Sequence, residues 1–342
     1  MREEGKGKRE ASLECFERAL KCDPLEYWAV VEKAFAGGRA SSRAAEALAA
    51  AEKNRGLKAQ QLLECISDYW GIGCYDEVIA LCDAALAKAA AEKPYATEGA
   101  LPLKDTIAVC DSYRNAMFGY FKAYAQAKKG MSADIVAKTL TSAGLMPTDY
   151  CFPSRLEELE VLEWAANGQA FNDQRALANT HYYLAEVLWN MDQKDAALAS
   201  WQVAVKLNPN HALALRCVGF ALSHPGSYFT NTGVPSGVVS KEAYGYYLKS
   251  LEADPGSFRT LDEAGKLAEK LKLPAAERLA LMEKYKETGP ELLERMRQLA
   301  GDAWQDCRPA RNSLETVFLR GIQAKLREKG MQNPEVRMQN ES

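Results

Sequence analysis

Apolar residues recur at steps of three and four along most of the chain, and strand-like alternation is nearly absent, so helices are predicted almost throughout. The pattern is clearest between Ala178 and Pro209. A first helix carries His181, Leu184, Ala185 and Leu188 on one face, and a second carries Ala197, Trp201 and Ala204 before Pro209. The polar run Asn190-Met191-Asp192-Gln193-Lys194 between them is short, which makes the two helices antiparallel neighbours. Small Ala185 and Ala197 permit close approach, while Leu184, Leu188 and Trp201 fill the space around them.

The second-helix spacing returns as Ala243, Tyr247, Ser250 and Pro255, again as Ser12, Phe16, Ala19 and Pro24, and without its proline as Val78, Cys82 and Ala85. First helices precede two of these, with Leu215, Val218, Gly219 and Leu222, and with Leu62, Cys65, Ile66 and Tyr69. A looser unit runs from Ala116 to Pro147, with Ala123 as its small residue, Gly130 near its turn and Thr139 where a large apolar residue is expected. This unit resembles the tetratricopeptide repeat, whose period is about 34 residues. The resemblance implies an all-α, right-handed solenoid of antiparallel helix pairs.

Two departures from the period carry information. Leu188 and Ala197 are nine residues apart, whereas Leu222 and Ala243 are twenty-one apart. The extra twelve residues fall in a Gly/Pro/Ser/Thr-rich loop at 223–241, and such insertions are either tolerated surface excursions or part of a binding face. The other departure is at the start, where the Ser12 signature belongs to a second helix but only the polar Met1–Arg9 precedes it. The expected organisation is a disordered lead at 1–9, repeats over 10–288, a helical cap or degenerate repeat at 289–330 and a disordered tail at 331–342.

Within the repeats, Pro147–Leu222 is similar to the repeat region of a bacterial family of uncharacterised proteins. Tyr150-Cys151-Phe152-Pro153, Arg155-Leu156-Glu157-Glu158, Tyr182-Tyr183-Leu184 and the stretch Leu271–Tyr285 carry the likeness, which covers roughly residues 10 to 288. In that family a carbohydrate-related domain of unknown function precedes a long array of tetratricopeptide repeats. That domain has no counterpart here, which together with the unpartnered helix at the start predicts a piece of a longer protein.

Composition narrows the function. A net charge of −3 without a Lys/Arg cluster gives no reason to expect nucleic acid, and no apolar run approaches the roughly 18 residues that span a bilayer. Nine cysteines include no C-x2-C pair, and with no apolar signal core the odd count points to the cytoplasm and to packing roles, as at Cys65, Cys82 and Cys217. No metal or cofactor is implied. His181, His211 and His224 are the only histidines, and no nucleophile pair is evident around them. Gly71-Ile72-Gly73 follows a helix rather than a strand, so it is not a phosphate loop, and Glu157/Glu158 and Glu160/Glu163 are assigned to a solvated helix face.

An interaction scaffold is therefore predicted, not an enzyme. The faces opposite the packing residues carry Asn179, Tyr182, Glu186, Trp189 and Asn190, then Arg216 and Phe220, with Tyr120 and Tyr124 on the looser unit. The inserted loop adds His224, Tyr228 and Phe229. Aromatic rings beside Arg, Glu and Asn suit a peptide or partner domain in a concave groove, or a sugar if the chain is the accessory half of a carbohydrate-active protein. The same rings could equally pack against neighbouring helices.

Overall fold

The computed structural model describes residues 6–23, 26–36, 43–49, 59–91, 112–148 and 151–285. Every regular element among them is an α-helix, and the one extended feature is an isolated bridge between Pro225 and Phe229. The predicted cap, the tail, Pro24 and Tyr150 lie outside the described residues.

The described residues form two compact units, one up to 91 and from 112 to 187, the other from 188 to 285. The first contains α1 (Lys6–Cys22), α2 (Tyr27–Ala36), α3 (43–49), α4 (Ala59–Gly71), α5 (Tyr75–Ala91), α6 (Met117–Lys128), α7 (Ala133–Gly144) and α8 (Leu156–Gly168). Helix α9 (Gln174–Asn190) contributes its residues up to Val187 to the first unit and the rest to the second. The second unit continues with α10 (Lys194–Leu207), α11 (Ala212–Ser223), α12 (Lys241–Ala253), α13 (Phe258–Lys270) and α14 (Ala275–Lys284). Helix α1 begins at Lys6, so the helical pattern reaches into the stretch expected to be a polar lead.

Packing runs between sequence neighbours. In the first unit α1 meets α2, α4 meets α5, α5 meets α6 and α6 meets α7, with α4 also touching α6. In the second, each of α10 to α13 meets the next, and α11 also touches α13. Contacts of this short range let each element bury its apolar stripe locally. Leu62, Cys65, Ile66 and Tyr69 of α4 are buried, as are Val78, Cys82 and Ala85 of α5 and Leu215, Val218 and Leu222 of α11. Burial pushes the thiols of Cys65 and Cys82 up, so both are inert packing groups.

Small residues stand where the helices come closest. A Cβ on Gly219 would meet the Ala243 carbonyl oxygen at 3.2 Å and the Tyr247 ring at 3.2 Å, so α11 and α12 nearly touch there. In the looser unit a tight point is Gly119 against Ala143, where a Cβ would fall 2.5 Å from the alanine methyl, and Ala123 is buried on the same helix. Ser250, which replaces an apolar residue of the pattern, is buried with its hydroxyl donating to the Ala212 carbonyl at 2.8 Å.

One turn recurs four times. Gly73, Gly130, Asp192 and Lys272 all have positive φ, and each follows α4, α6, α9 or α13. The next amide bonds back five residues in every case: Cys74 to Tyr69, Met131 to Gln126, Gln193 to Leu188 and Leu273 to Ala268, at 2.9–3.0 Å. This is the left-handed C-terminal cap that satisfies the last carbonyls of a helix and turns the chain sharply. Glycine fits it without cost, aspartate tolerates it, and Lys272 adopts it with neither advantage.

Three helix starts of the second unit are capped by side chains. Ser240 and Ser257 accept from the amides of Ala243 and Thr260, and the buried His211 accepts from the amide of Ala214 through Nδ1 at 3.3 Å. Burial holds the His211 imidazole down to about 4, against 6.5 for an ordinary histidine. A protonated ring would also lose the acceptor that caps α11. Unfolding takes up a proton between these values, so stability falls as pH drops from about 6.5 to 4, by about 3 kcal/mol in all. His211→Asn keeps a capping acceptor and removes the titration. Urea midpoints measured at pH 7, 5.5 and 4.5 should therefore decline less in the variant; parallel declines would show that His211 does not charge on unfolding.

Candidate functional site

The inserted loop and the helices beside it build an aromatic cluster in the second unit. Helix α11 ends at Ser223 without the recurring turn, and the chain departs through His224 and Pro225 instead. Gly226, at a φ of 73°, reverses it, and the Gly226 amide donates to the Phe229 carbonyl at 2.8 Å. That reversal sends two adjacent side chains opposite ways. Phe229 is 1% exposed and Tyr228 is 52% exposed.

Phe229 stacks on Trp189 with ring centroids 5.5 Å apart and lies 6.4 Å from Trp201, the buried anchor of α10. Tyr228 stacks on Phe220 at 6.0 Å and stands edge-on to Trp189 at 5.9 Å. The His224 ring touches Phe220 at 4.4 Å and Tyr228 at 6.0 Å. Lys194 completes the set, with its ammonium 3.6 Å from the Trp189 ring centroid and donating to the Trp189 carbonyl.

The far side of the loop is pinned by Asp195, in the first turn of α10. Its carboxylate accepts from the amides of Thr230 and Asn231 at 2.8 and 3.0 Å, from the Thr230 hydroxyl and from the Asn231 side chain. The Thr230 hydroxyl, with the two amides, holds this carboxyl below the usual carboxylate range.

Proximity also puts Ser223 Oγ 2.9 Å from His224 Nδ1, which invites comparison with a nucleophile and its base. The same Nδ1 lies 2.9 Å from the Phe220 carbonyl oxygen, which can only accept. The neutral ring therefore carries its proton on Nδ1, and Ser223 itself donates to that carbonyl at 2.9 Å. With a proton placed there, Nδ1 does not accept one from Ser223 in this arrangement. Among the described residues there is no group of three or more His, Cys, Asp and Glu side chains able to hold a metal, and no helix is long and apolar enough to cross a membrane.

The remaining candidates scatter. Tyr120 and Tyr124 are buried, the first bonded to Thr180 Oγ1 at 2.7 Å and the second donating to Glu160 at 3.1 Å, because other helices cover the face on which they were expected to be exposed. Phe229 is likewise interior rather than displayed. Asn179 uses its amide on the Gly144 carbonyl at 2.6 Å, securing a helix contact. Tyr182 and Glu186 are half-buried and Asn190 is exposed. Arg216 is spent on Glu263, 2.8 Å away. Trp189, Phe220, His224 and Tyr228 are the ones brought together and still reached by solvent.

Sequence reading missed Lys194 and Asp195. Asp195 looks like an ordinary first-turn acid, and its loop partners lie 35 and 36 residues away, so no local signal marks it. No protein-family model matches this chain, and no curated protein matches it.

Proposed function

We propose that the chain is a non-catalytic binding scaffold, each unit a stack of tetratricopeptide-like helix pairs, and that the aromatic cluster of the second unit takes a peptide segment of a partner protein. Four turns made alike, small residues at the close approaches and packing between sequence neighbours support the repeat reading. Tyr228 carries the binding reading. Its ring is half open to solvent, yet it is held by Phe220, Trp189 and His224 on a loop fastened by Asp195. A large ring already held in place loses little freedom on binding, which is what makes such residues effective contacts. Trp189 and Phe220 supply the apolar floor, and His224 offers a hydrogen-bonding edge.

Selection of a displayed peptide library on the full chain tests this. The selected peptides should share a motif with an apolar or aromatic residue, and Tyr228→Ser should weaken them by about 10- to 30-fold. Because Tyr228 is half exposed, the same change should leave the unfolding free energy within about 0.5 kcal/mol of the original. Peptides without a common motif, or unaffected by the substitution, would refute the assignment. An oligosaccharide panel is the discriminating arm: saturable tryptophan quenching by a sugar, abolished by Tyr228→Ser, would replace the peptide reading with the carbohydrate one.

A further inference from the structure

Among the described residues the alternation of first and second helices breaks at α8. A Cβ on Gly144, the last residue of α7, would lie 2.5 Å from the Ala176 carbonyl oxygen, so α7 rests directly on α9. Tyr120 of α6 also reaches α9, through its bond to Thr180 and an edge-on contact with Tyr183 at 6.1 Å. Helices α6 and α7 thus both reach past α8 to α9. Helix α8 instead lies on α6, and Arg155 at its start extends to α4, 2.7 Å from the Glu64 carboxylate. Both α4 and α6 are first helices. Helix α8 therefore rests on one first helix, α6, with the residue at its start tied to another, α4.

Its seat is narrow. One stripe is buried, Glu158, Val161, Leu162 and Ala165, and only two of these are large aliphatic residues. Glu158, expected on a solvated face, is interior because it caps its own helix: its carboxylate accepts from the amides of Ser154 at 2.6 Å and Arg155 at 2.9 Å, while burial raises its affinity for a proton. The rest is edge contact, with Tyr124 donating to Glu160 and standing edge-on to Trp164 at 5.0 Å. Leu156 points away, 68% exposed. Helix α6 beneath is buried on all sides, through Met117, Phe118, Tyr120, Phe121 and Tyr124. Lifting α8 would bare the aromatic side of α6 without removing the contacts of α6 to α4, α5, α7 and α9.

We propose that α8 is a built-in occupant of a helix-binding face formed by α4 and α6, and that a partner helix of the same chemistry displaces it. Such a helix is amphipathic and acidic, with two adjacent aliphatic residues on its buried stripe, a tryptophan at their flank and an arginine at its start to meet Glu64. This face belongs to the first unit, and nothing in it depends on the aromatic cluster of the second.

Hydrogen exchange of the unaltered full chain is the first test. The amides of α8 should exchange at least about tenfold faster than those of α6 and α9, since a strap opens without unfolding the helices beneath it. Equal protection of α8 and α6 overturns the proposal. The second test adds a labelled peptide of residues 154–168 to the full chain carrying Val161→Asp and Leu162→Asp, which puts carboxylates on the seated stripe. A tethered occupant competes at an effective concentration near millimolar, so the peptide should bind the variant about a hundredfold more tightly than the unaltered chain. The same peptide bearing both substitutions should not bind. A variant that unfolds cooperatively yet ignores the unaltered peptide sinks the idea, and if the variant fails to fold, the exchange result decides.

Discussion

Trp201→Ala is expected to lower the unfolding free energy by about 3–5 kcal/mol, the range for removing a large aromatic side chain from a packed interior. Trp201 is 3% exposed and touches Trp189 and Phe229, at centroid distances of 6.1 and 6.4 Å. The cavity opens under the loop, so Phe229 loses one of its two flanking indoles and Tyr228 loses the footing of its neighbour. Peptide affinity at the aromatic cluster should fall along with stability. Trp201→Phe should cost much less, because the indole N–H has no partner among the described residues and its removal relieves a buried polar group. Urea unfolding followed by far-ultraviolet circular dichroism at constant slope measures both changes. A loss below about 1 kcal/mol for the alanine variant would mean that the cluster is not packed as described.

Arg216→Met should cost about 3–5 kcal/mol, because it strands the mostly buried carboxylate of Glu263. Burial opposes the charge on Arg216, but the neighbouring Cys217 and Glu263 outweigh it and hold the guanidinium firmly protonated. Arg259, which also reaches Glu263 at 3.2 Å, is exposed and replaces little of the lost interaction. The pair is incompletely satisfied: Arg216 Nε and Glu263 Oε2 have no hydrogen-bond partner among the described residues. An apolar pair of similar volume should therefore do nearly as well, and Arg216→Met with Glu263→Leu should recover most of the loss. A double-mutant cycle checks this. A double variant no more stable than Arg216→Met alone would place the role of Arg216 outside the pair, and would restore it as a candidate for ligand contact.

The apolar spacing located the buried stripes of α4, α5, α10, α11 and α12 because a helix that must bury one face repeats its apolar residues every three to four positions. Leu62, Val78, Trp201, Val218 and Tyr247 are all interior, as that spacing implies. The turns were half visible. Gly73 and Gly130 announce themselves, but Asp192 and Lys272 take the same backbone without a glycine. Ser250 looked like a lapse in the pattern until its bond to Ala212 supplied the reason.

Exposure was the quantity that spacing could not give. A helix pattern says which face is buried first; it does not say what covers the opposite face. Tyr120, Tyr124 and Phe229 were candidates for open faces, and each is covered by another segment: Tyr120 by α9, Tyr124 by α8, and Phe229 by Trp189 as the loop folds back. The inserted loop was visible as twelve extra residues, but its anchoring by Asp195 was not, because a carboxylate meeting two amides 35 residues away leaves no periodic trace.

By itself, then, the sequence determined the helices of the described residues, most of their buried stripes and the loop where the period lengthens. Those are local properties, set by backbone hydrogen bonding within a helix and by the need of each helix to bury one stripe. Only the tertiary structure decided which aromatic rings stay in contact with solvent, that Arg216 meets Glu263, that Ser223 Oγ lies against His224 Nδ1, and that α8 lies on α6 with Arg155 tied to α4. These depend on which remote segments meet, and such meetings are fixed by the summed packing of the whole unit rather than by any stretch of its sequence.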